Sequence, residues 1–446
     1  MGICSKPMLQ GVAAVIALQL VVIVIAFFKG IHDAYIPLMA PVTLLCLAII
    51  GIAIFTDGSI SFALVWVVLA KLGVLLQVLL VPNVYPQMRV LLVLAFISII
   101  LTPMMLHYLE GIPQQRTKWV LIGCFGLIVI CYVALALFGI RVGNIARWVN
   151  IGGMSIQITE IVRFVVLVMF ALVLCDRTVA CKTRYFKAMG IMIVCVLFFI
   201  LVSELGTLMV LGITFVILCA LFLPMKFTLI NIGFMTAALL VGVLIFHMVL
   251  ERNFLTDNAL VLGSVNRVHS RVATFLDPSL DPWGYGFQSS QARLAIAVGG
   301  LTGSSISVNV PVLSSDFAFV GLLLHLGGIT GLITIVLYSA LLIEGVRITC
   351  SQKECSFKQV ICAGFIWSTV VQAGLIIGGT TGFLPLTGIP LPFLSQGGTY
   401  LLITNAKMGY LLFASSNISI RYPTFGGRKY EKITRKHPIP ATTNTH

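Results

Sequence analysis

Arg267 and Arg271 lie four residues apart, and two guanidinium groups at that spacing can present themselves together to a phosphate or diphosphate. A pair of solvated loop charges is the plainer reading. Asp277-Pro278, Gly286-Phe287-Gln288 and Gln291 follow, with glycines too loosely spaced for a nucleotide loop and no strand before them. Glu160 and Arg163 are three apart and can pair on one helix face; they follow Arg147-Trp148-Val149-Asn150 and Gln157. A structural ion pair beside an interfacial tryptophan and a direct substrate contact explain that group equally well. Glu204, in Ser203-Glu204-Leu205-Gly206-Thr207, sits at a tight junction between apolar runs and suits a hydrogen-bonding role. Asp316 opens a long apolar run, where N-capping explains a carboxylate without any chemistry. Lys71 and Lys407 fall inside apolar runs, and each is expected to pair with an acid or carbonyl there.

The element best able to position such groups lies between Leu384 and Gly398. It contains Pro385, Thr387, Gly388, Pro390, Pro392, Ser395, Gly397 and Gly398 in an otherwise apolar setting. Proline gives no backbone donor and glycine favours non-helical angles, so the stretch is no regular helix. Irregular backbone at membrane depth survives only where protein buries it or where it lines a polar cavity. A site is therefore expected here.

The rest of the chain is membrane-like. Of 446 residues, 59% are hydrophobic and 9% charged, which no soluble domain matches. Apolar runs long enough to cross a bilayer are read near 11–28, 37–55, 60–80, 89–108, 119–139, 157–175, 188–203, 205–223, 230–250, 316–345, 357–380 and 396–415. The expected fold is an all-α polytopic membrane protein of about twelve helices. The first run lacks a small-residue cleavage site and reads as a retained span. The net charge of +14 comes from Lys and Arg in alternate loops and the tail after residue 416, which fits cytoplasmic termini and contact with membrane lipid. That pattern argues against nucleic acid. Eleven scattered cysteines contain no Cys-x-x-Cys, so neither a zinc site nor a disulfide framework is expected. The only large polar element between spans is 251–315. With cytoplasmic termini it faces outward, together with Glu160, Glu204, Asp316 and the arginines.

Taken in order, these stations resemble the SEDS family (shape, elongation, division and sporulation), the RodA/FtsW-like proteins. The matching motifs are Arg147 to Asn150, Gln157 to Glu160, Glu204 to Thr207, Arg267/Arg271 with Asp277-Pro278 and Gly286 to Gln288, Ser315 to Phe317, and Pro385 to Gly398. The resemblance covers 141–415. It implies a ten-helix core, to which the 1–140 region adds about two N-terminal spans, with 416–446 a basic cytoplasmic tail. Near Asp316 the glutamate and histidine that the resemblance leads one to expect are Val312 and Ser314 here, and the usual tyrosine before the paired glycines is Gln396.

The resemblance implies a peptidoglycan glycosyltransferase of the bacterial cytoplasmic membrane. It would polymerise lipid II, an undecaprenyl-diphosphate-linked disaccharide-pentapeptide, outside that membrane with a class B penicillin-binding protein. Asp316 is then the expected catalytic base, or a ligand for a divalent cation such as Mg or Mn. Arg147, Arg267 and Arg271 would offset charge on the departing diphosphate. Trp148, Asn150, Glu160, Arg163, Glu204, Gln288, Gln291 and the Pro-Gly segment would shape the substrate site. Two other readings stand beside it: a catalytically weak scaffold for division or elongation, and a flippase for lipid-linked precursors.

Overall fold

The computed structural model describes residues 5–81, 85–142, 145–151, 154–202, 204–237 and 271–416. Helices α1 (Ser5–Phe28), α2 (His32–Phe55), α3 (Ile60–Leu80), α4 (Tyr85–Glu110) and α5 (Thr117–Phe138) come first. Strands β1 (Gly139–Val142), β2 (Ile145–Ile151) and β3 (Met154–Gln157) follow. Then come α6 (Ile158–Leu174), α7 (Cys181–Leu201), α8 (Leu205–Phe222), α9 over 225–237 and α10 over 271–276. The chain continues through α11 (Tyr285–Gly299), α12 (Ala318–Ser351), α13 (Phe357–Thr381) and α14 (Gly398–Ala414).

Among the described residues nine helices are long and apolar enough to cross a membrane. α6 and α14, at 17 residues each, are shorter but buried along most of their length. The most enclosed of the long helices are α3 and α13. α13 packs against α6, α8, α12 and α14 and is the central post. Its start is capped by the Ser356 hydroxyl, which accepts the Gln359 N–H at 3.1 Å. It ends at Gly382 in the left-handed region. Buried polar pairs tie the outer helices to this core. Trp66 Nε1 on α3 donates to Asn405 Oδ1 on α14 at 3.0 Å. Lys71 Nζ on α3 donates to Val15 O at 3.2 Å and Gln19 Oε1 at 2.7 Å, both on α1. Lys71 thus meets a carbonyl, as its mid-span position led one to expect.

Three features differ from the sequence reading. The connection between the runs read near 119–139 and 157–175 carries an antiparallel sheet ordered β1-β2-β3, with Trp148 opposite both Ile140 and Gln157. Its β-branched and aromatic residues pair across short strands too brief to announce themselves by alternation. The polar stretch 251–315 contains α11, whose Ala292, Ala295 and Gly299 form a small-residue face buried against α12. The run read as one span at 316–345 is α12, broken at Gly327 (φ 83°). The 300–304 turn supplies the missing bonds there: Gly328 N donates to Gly300 O at 2.8 Å, and Ser304 N to Leu324 O at 2.7 Å.

Candidate functional site

The Pro-Gly segment between α13 and α14 is irregular, apolar and buried, so its carbonyls need partners from elsewhere. Each neighbouring element sends one. Arg271 of α10 donates to Thr387 O at 2.6 Å, and Gln372 of α13 to Pro390 O at 2.8 Å. Tyr338 of α12 donates to Pro392 O, and Gln77 of α3 to Leu394 O. Within the segment, Ser395 N donates to Leu391 O at 3.0 Å while its hydroxyl accepts from Leu391 N at 2.7 Å. Glycines let the segment approach its neighbours. A Cβ on Gly73 of α3 would collide with the Phe393 carbonyl, and one on Gly206 of α8 would fall 2.8 Å from Thr387 O. Pro385 begins this path, and Gly397 and Gly398 end it at the start of α14.

The segment in turn holds the turn that carries Asp316. Ser395 Oγ donates to Ser315 O at 2.5 Å. Gln396 N donates to Ser314 O at 2.8 Å, and Gln77 Nε2 reaches the same oxygen at 3.2 Å. Ser314 Oγ and Gln396 Oε1 are 2.9 Å apart. Asp316 itself is half-buried. The cap of α12 is Phe317, with no side-chain cap bond, so Asp316 stands one residue outside the helix and the capping explanation gives way.

Phe317 lines a pocket of about 420 Å³, counting its open mouth, together with Arg271, Arg293, Tyr285, Ser289 and Thr380. Among the described residues no carboxylate lines it. Arg271 is fixed from three sides. It donates to Thr387 O, stacks on the Tyr285 ring with 5.2 Å from guanidinium carbon to ring centre, and lies over Gly388 (φ 64°), where a Cβ would fall 2.7 Å from Nη2. Its buried Nε has no partner among the described residues. A fixed cation with spare donor capacity, in one lining with a second guanidinium and the Ser289 and Thr380 hydroxyls, makes the pocket receptive to an anion. α11, which carries Gln288 and Gln291, both half-buried, begins where Asp281 accepts Gly284 N at 2.9 Å and Tyr285 N at 2.8 Å. In the adjoining turn, bonds from the Ser279 hydroxyl and N–H hold the Asp277 carboxyl below its usual range.

Other expected site residues fall elsewhere. Glu160 and Arg163 are almost fully buried and bond to each other, and Arg163 Nη1 donates to Gln372 Oε1 at 2.6 Å. Gln372 passes the link to Pro390, so this pair braces the Pro-Gly segment from behind and does not line the pocket. Tyr400 stacks near Arg163 at 6.0 Å, and Lys407 lies within electrostatic reach of both charges. Glu204 is buried at the head of α8, with Thr207 Oγ1 at 3.4 Å from its carboxylate. Arg147, Trp148 and Asn150 lie in β2, and the sheet meets α14 where Gln157 N donates to Thr399 Oγ1 at 3.0 Å. Arg267 lies outside the described residues.

Residues that sequence reasoning missed are Arg293, Tyr285, Gln372, Tyr338 and Gln77. The two glutamines carried a signal, being amides inside apolar runs. Arg293 carried none that separates it from a solvated charge. Among the described residues no three His, Cys, Asp or Glu side chains converge on a cation site. The donor set does not fit a dedicated Mg or Mn cage.

The fold and site define a multi-pass membrane protein with an anion-receptive pocket beside one carboxylate-bearing turn. Residues 61–419 match the family model of the FtsW/RodA/SpoVE cell cycle proteins, and the chain belongs to that family. It is 30% identical over 325 residues to the probable peptidoglycan glycosyltransferase FtsW of Enterococcus hirae, covering 70% of this chain and 79% of the relative. It is 29% identical over 303 residues to stage V sporulation protein E of Bacillus subtilis, covering 65% of this chain and 78% of the relative. In fold it is similar to a chain of a solved peptidoglycan synthase complex that coordinates polymerization and crosslinking. That likeness has a TM-score of 0.60 at 19% identity, over 80% of this chain and 97% of that one.

Proposed function

We propose that the chain is a peptidoglycan glycosyltransferase that polymerises lipid II at the outer face of the cytoplasmic membrane, with both termini in the cytoplasm. One observation carries the reading: the Asp316 turn is bolted to the Pro-Gly segment next to a pocket that, among the described residues, is lined by two arginines and no acid. The relatives' names supply the substrate class. Glycosyl transfer from a lipid diphosphate needs a base for the acceptor hydroxyl and positive charge for the leaving group. Asp316 accepts the proton from the acceptor 4-hydroxyl as the new C–O bond forms at the donor anomeric carbon. The bond from that carbon to the diphosphate oxygen breaks, and Arg271 and Arg293 stabilise the charge left on the phosphates. A single carboxylate acting this way inverts the anomeric centre. A divalent cation would be carried by the diphosphate and one carboxylate, and no step here depends on it. The crosslinking partner is a class B penicillin-binding protein, in keeping with the synthase complex that shares the fold.

The test is polymerisation of lipid II by the purified protein, with and without that partner, comparing wild type with Arg271→Ala and Arg293→Ala. Each substitution should lower the rate by about 10²-fold or more, on the scale of losing one transition-state donor. Full activity in both would overturn the assignment of the pocket. Val312 and Ser314, where the resemblance leads one to expect glutamate and histidine, favour a second reading as a non-polymerising scaffold. No polymer from wild type with its partner present would establish that one.

A further inference from the structure

At the far end of α6 from Glu160, about 21 Å away at 1.5 Å per residue, three segments meet on one buried guanidinium. Arg184 of α7 donates through Nη1 to Leu174 O at 2.9 Å. The same nitrogen reaches Cys355 Sγ at 3.5 Å, and Nη2 reaches Cys181 Sγ at 2.9 Å. A guanidinium stays charged under all ordinary conditions, and a buried one left without a counter-charge is costly. Among the described residues Arg184 forms no ion pair with a carboxylate. The groups on it that can become anionic are the two thiols. Cys181 is also the first residue of α7, where the helix end favours negative charge. Both cysteines are half-buried, so each keeps a path to solvent.

The charges around the cluster point the same way. Arg177, Lys182, Lys187, Lys353 and Lys358 come from the two loops and helix starts that frame it. Of the acids there, Asp176 is engaged by Thr178 and Gln114, and Glu354 faces Arg177. Cys175 stands nearby, with its Sγ turned to Leu172 O.

We propose that Cys181 and Cys355 form a nucleophilic thiol site, held by Arg184, that is modified by small soft electrophiles, and by hydroperoxides in particular. In that step the thiolate sulfur attacks one peroxide oxygen. The S–O bond forms at the terminal peroxide oxygen, the O–O bond breaks, sulfur is oxidised by two electrons to a sulfenic acid, and the other oxygen leaves as alkoxide, or as hydroxide when the oxidant is hydrogen peroxide. The inference is independent of the proposed polymerase activity.

Cys350 is an internal control. It lies at the end of α12 close in sequence to Cys355 and is more exposed than either thiol, but has no bonded cation among the described residues. Accessibility alone would make it react first. The experiment treats the full-length, reduced, detergent-solubilised protein with hydrogen peroxide, traps sulfenic acid with dimedone, and reads each cysteine's rate by peptide mass spectrometry. At neutral pH, Cys181 or Cys355 should be trapped about tenfold faster than Cys350, or more, the gain expected where a cation favours the thiolate. Arg184→Met should bring that rate down to the Cys350 level. Should Arg184→Met fail to fold, the wild-type rates alone decide, the tenfold lead of Cys181 or Cys355 over the more exposed Cys350 being the expected result. Trapping at Cys350 that is as fast or faster would overturn the proposal.

Discussion

At the residue scale, Ser314 and Gln396 stand out because each departs from what the family resemblance leads one to expect and the two meet in space, 2.9 Å apart. Two scattered oddities in the sequence are one contact in the fold. Ser314→Ala should therefore loosen the Asp316 turn, and the account expects a roughly tenfold lower polymerisation rate with little change in thermal stability, one neutral hydrogen bond contributing about 1 kcal/mol. An unchanged rate would show that this contact is decorative. The Glu160–Arg163 pair should behave differently. It is buried, so Glu160→Gln leaves an arginine without its counter-charge and should cost about 3–5 kcal/mol. A lowered midpoint of thermal unfolding in detergent would register that loss, and an unmoved midpoint would contradict it. Asp277 brings a pH dependence. Its carboxyl is held below the usual range by Ser279, so the turn's stabilisation is full above the ordinary carboxylate range and is lost as pH falls through the lowered value. The exchange protection factor of the Ser279 amide should fall over that acid window, and constancy there would refute the linkage.

At the element scale, the Pro-Gly segment is the keystone, and its role could be read before any coordinates. Prolines and glycines in an apolar stretch demand outside donors, and the structure supplies Arg271, Gln372, Tyr338 and Gln77. Which donors they would be was hidden, because contacts between α3 and the segment span some 300 residues of chain and leave no local periodicity. The sheet was hidden for another reason: Met154–Gln157 is four residues long, too short for alternation to register. The α1 helix, which precedes the family match, is joined to it through Lys71. Gln19→Leu removes one of the two oxygens on that cation and should cost about 1–3 kcal/mol. Adding Lys71→Met should recover much of the loss. If the double variant is no more stable than the single one, α1 is held by packing alone.

At the scale of the whole molecule, alternating Lys/Arg loops and a one-sided set of acids made both the membrane class and the expected orientation legible from composition. The broken α12 and buried α11 were not, since a single glycine and a face of three small residues carry those features. The orientation is open to a direct check. An impermeant maleimide on intact cells should label Trp283→Cys, a fully exposed position in the α10–α11 connection, and leave Cys350 untouched. The reverse pattern would place the pocket on the cytoplasmic side and remove lipid II polymerisation outside the membrane from consideration.

The central claim is that Asp316 takes the proton from the acceptor sugar. Its most direct test is the rate of glycan formation from lipid II by purified Asp316→Asn with its transpeptidase partner. That substitution keeps the shape of the side chain and removes the base. The account expects membrane insertion and partner binding to persist while polymerisation falls by about 10²–10⁴-fold. Polymerisation within a few-fold of wild type would contradict it.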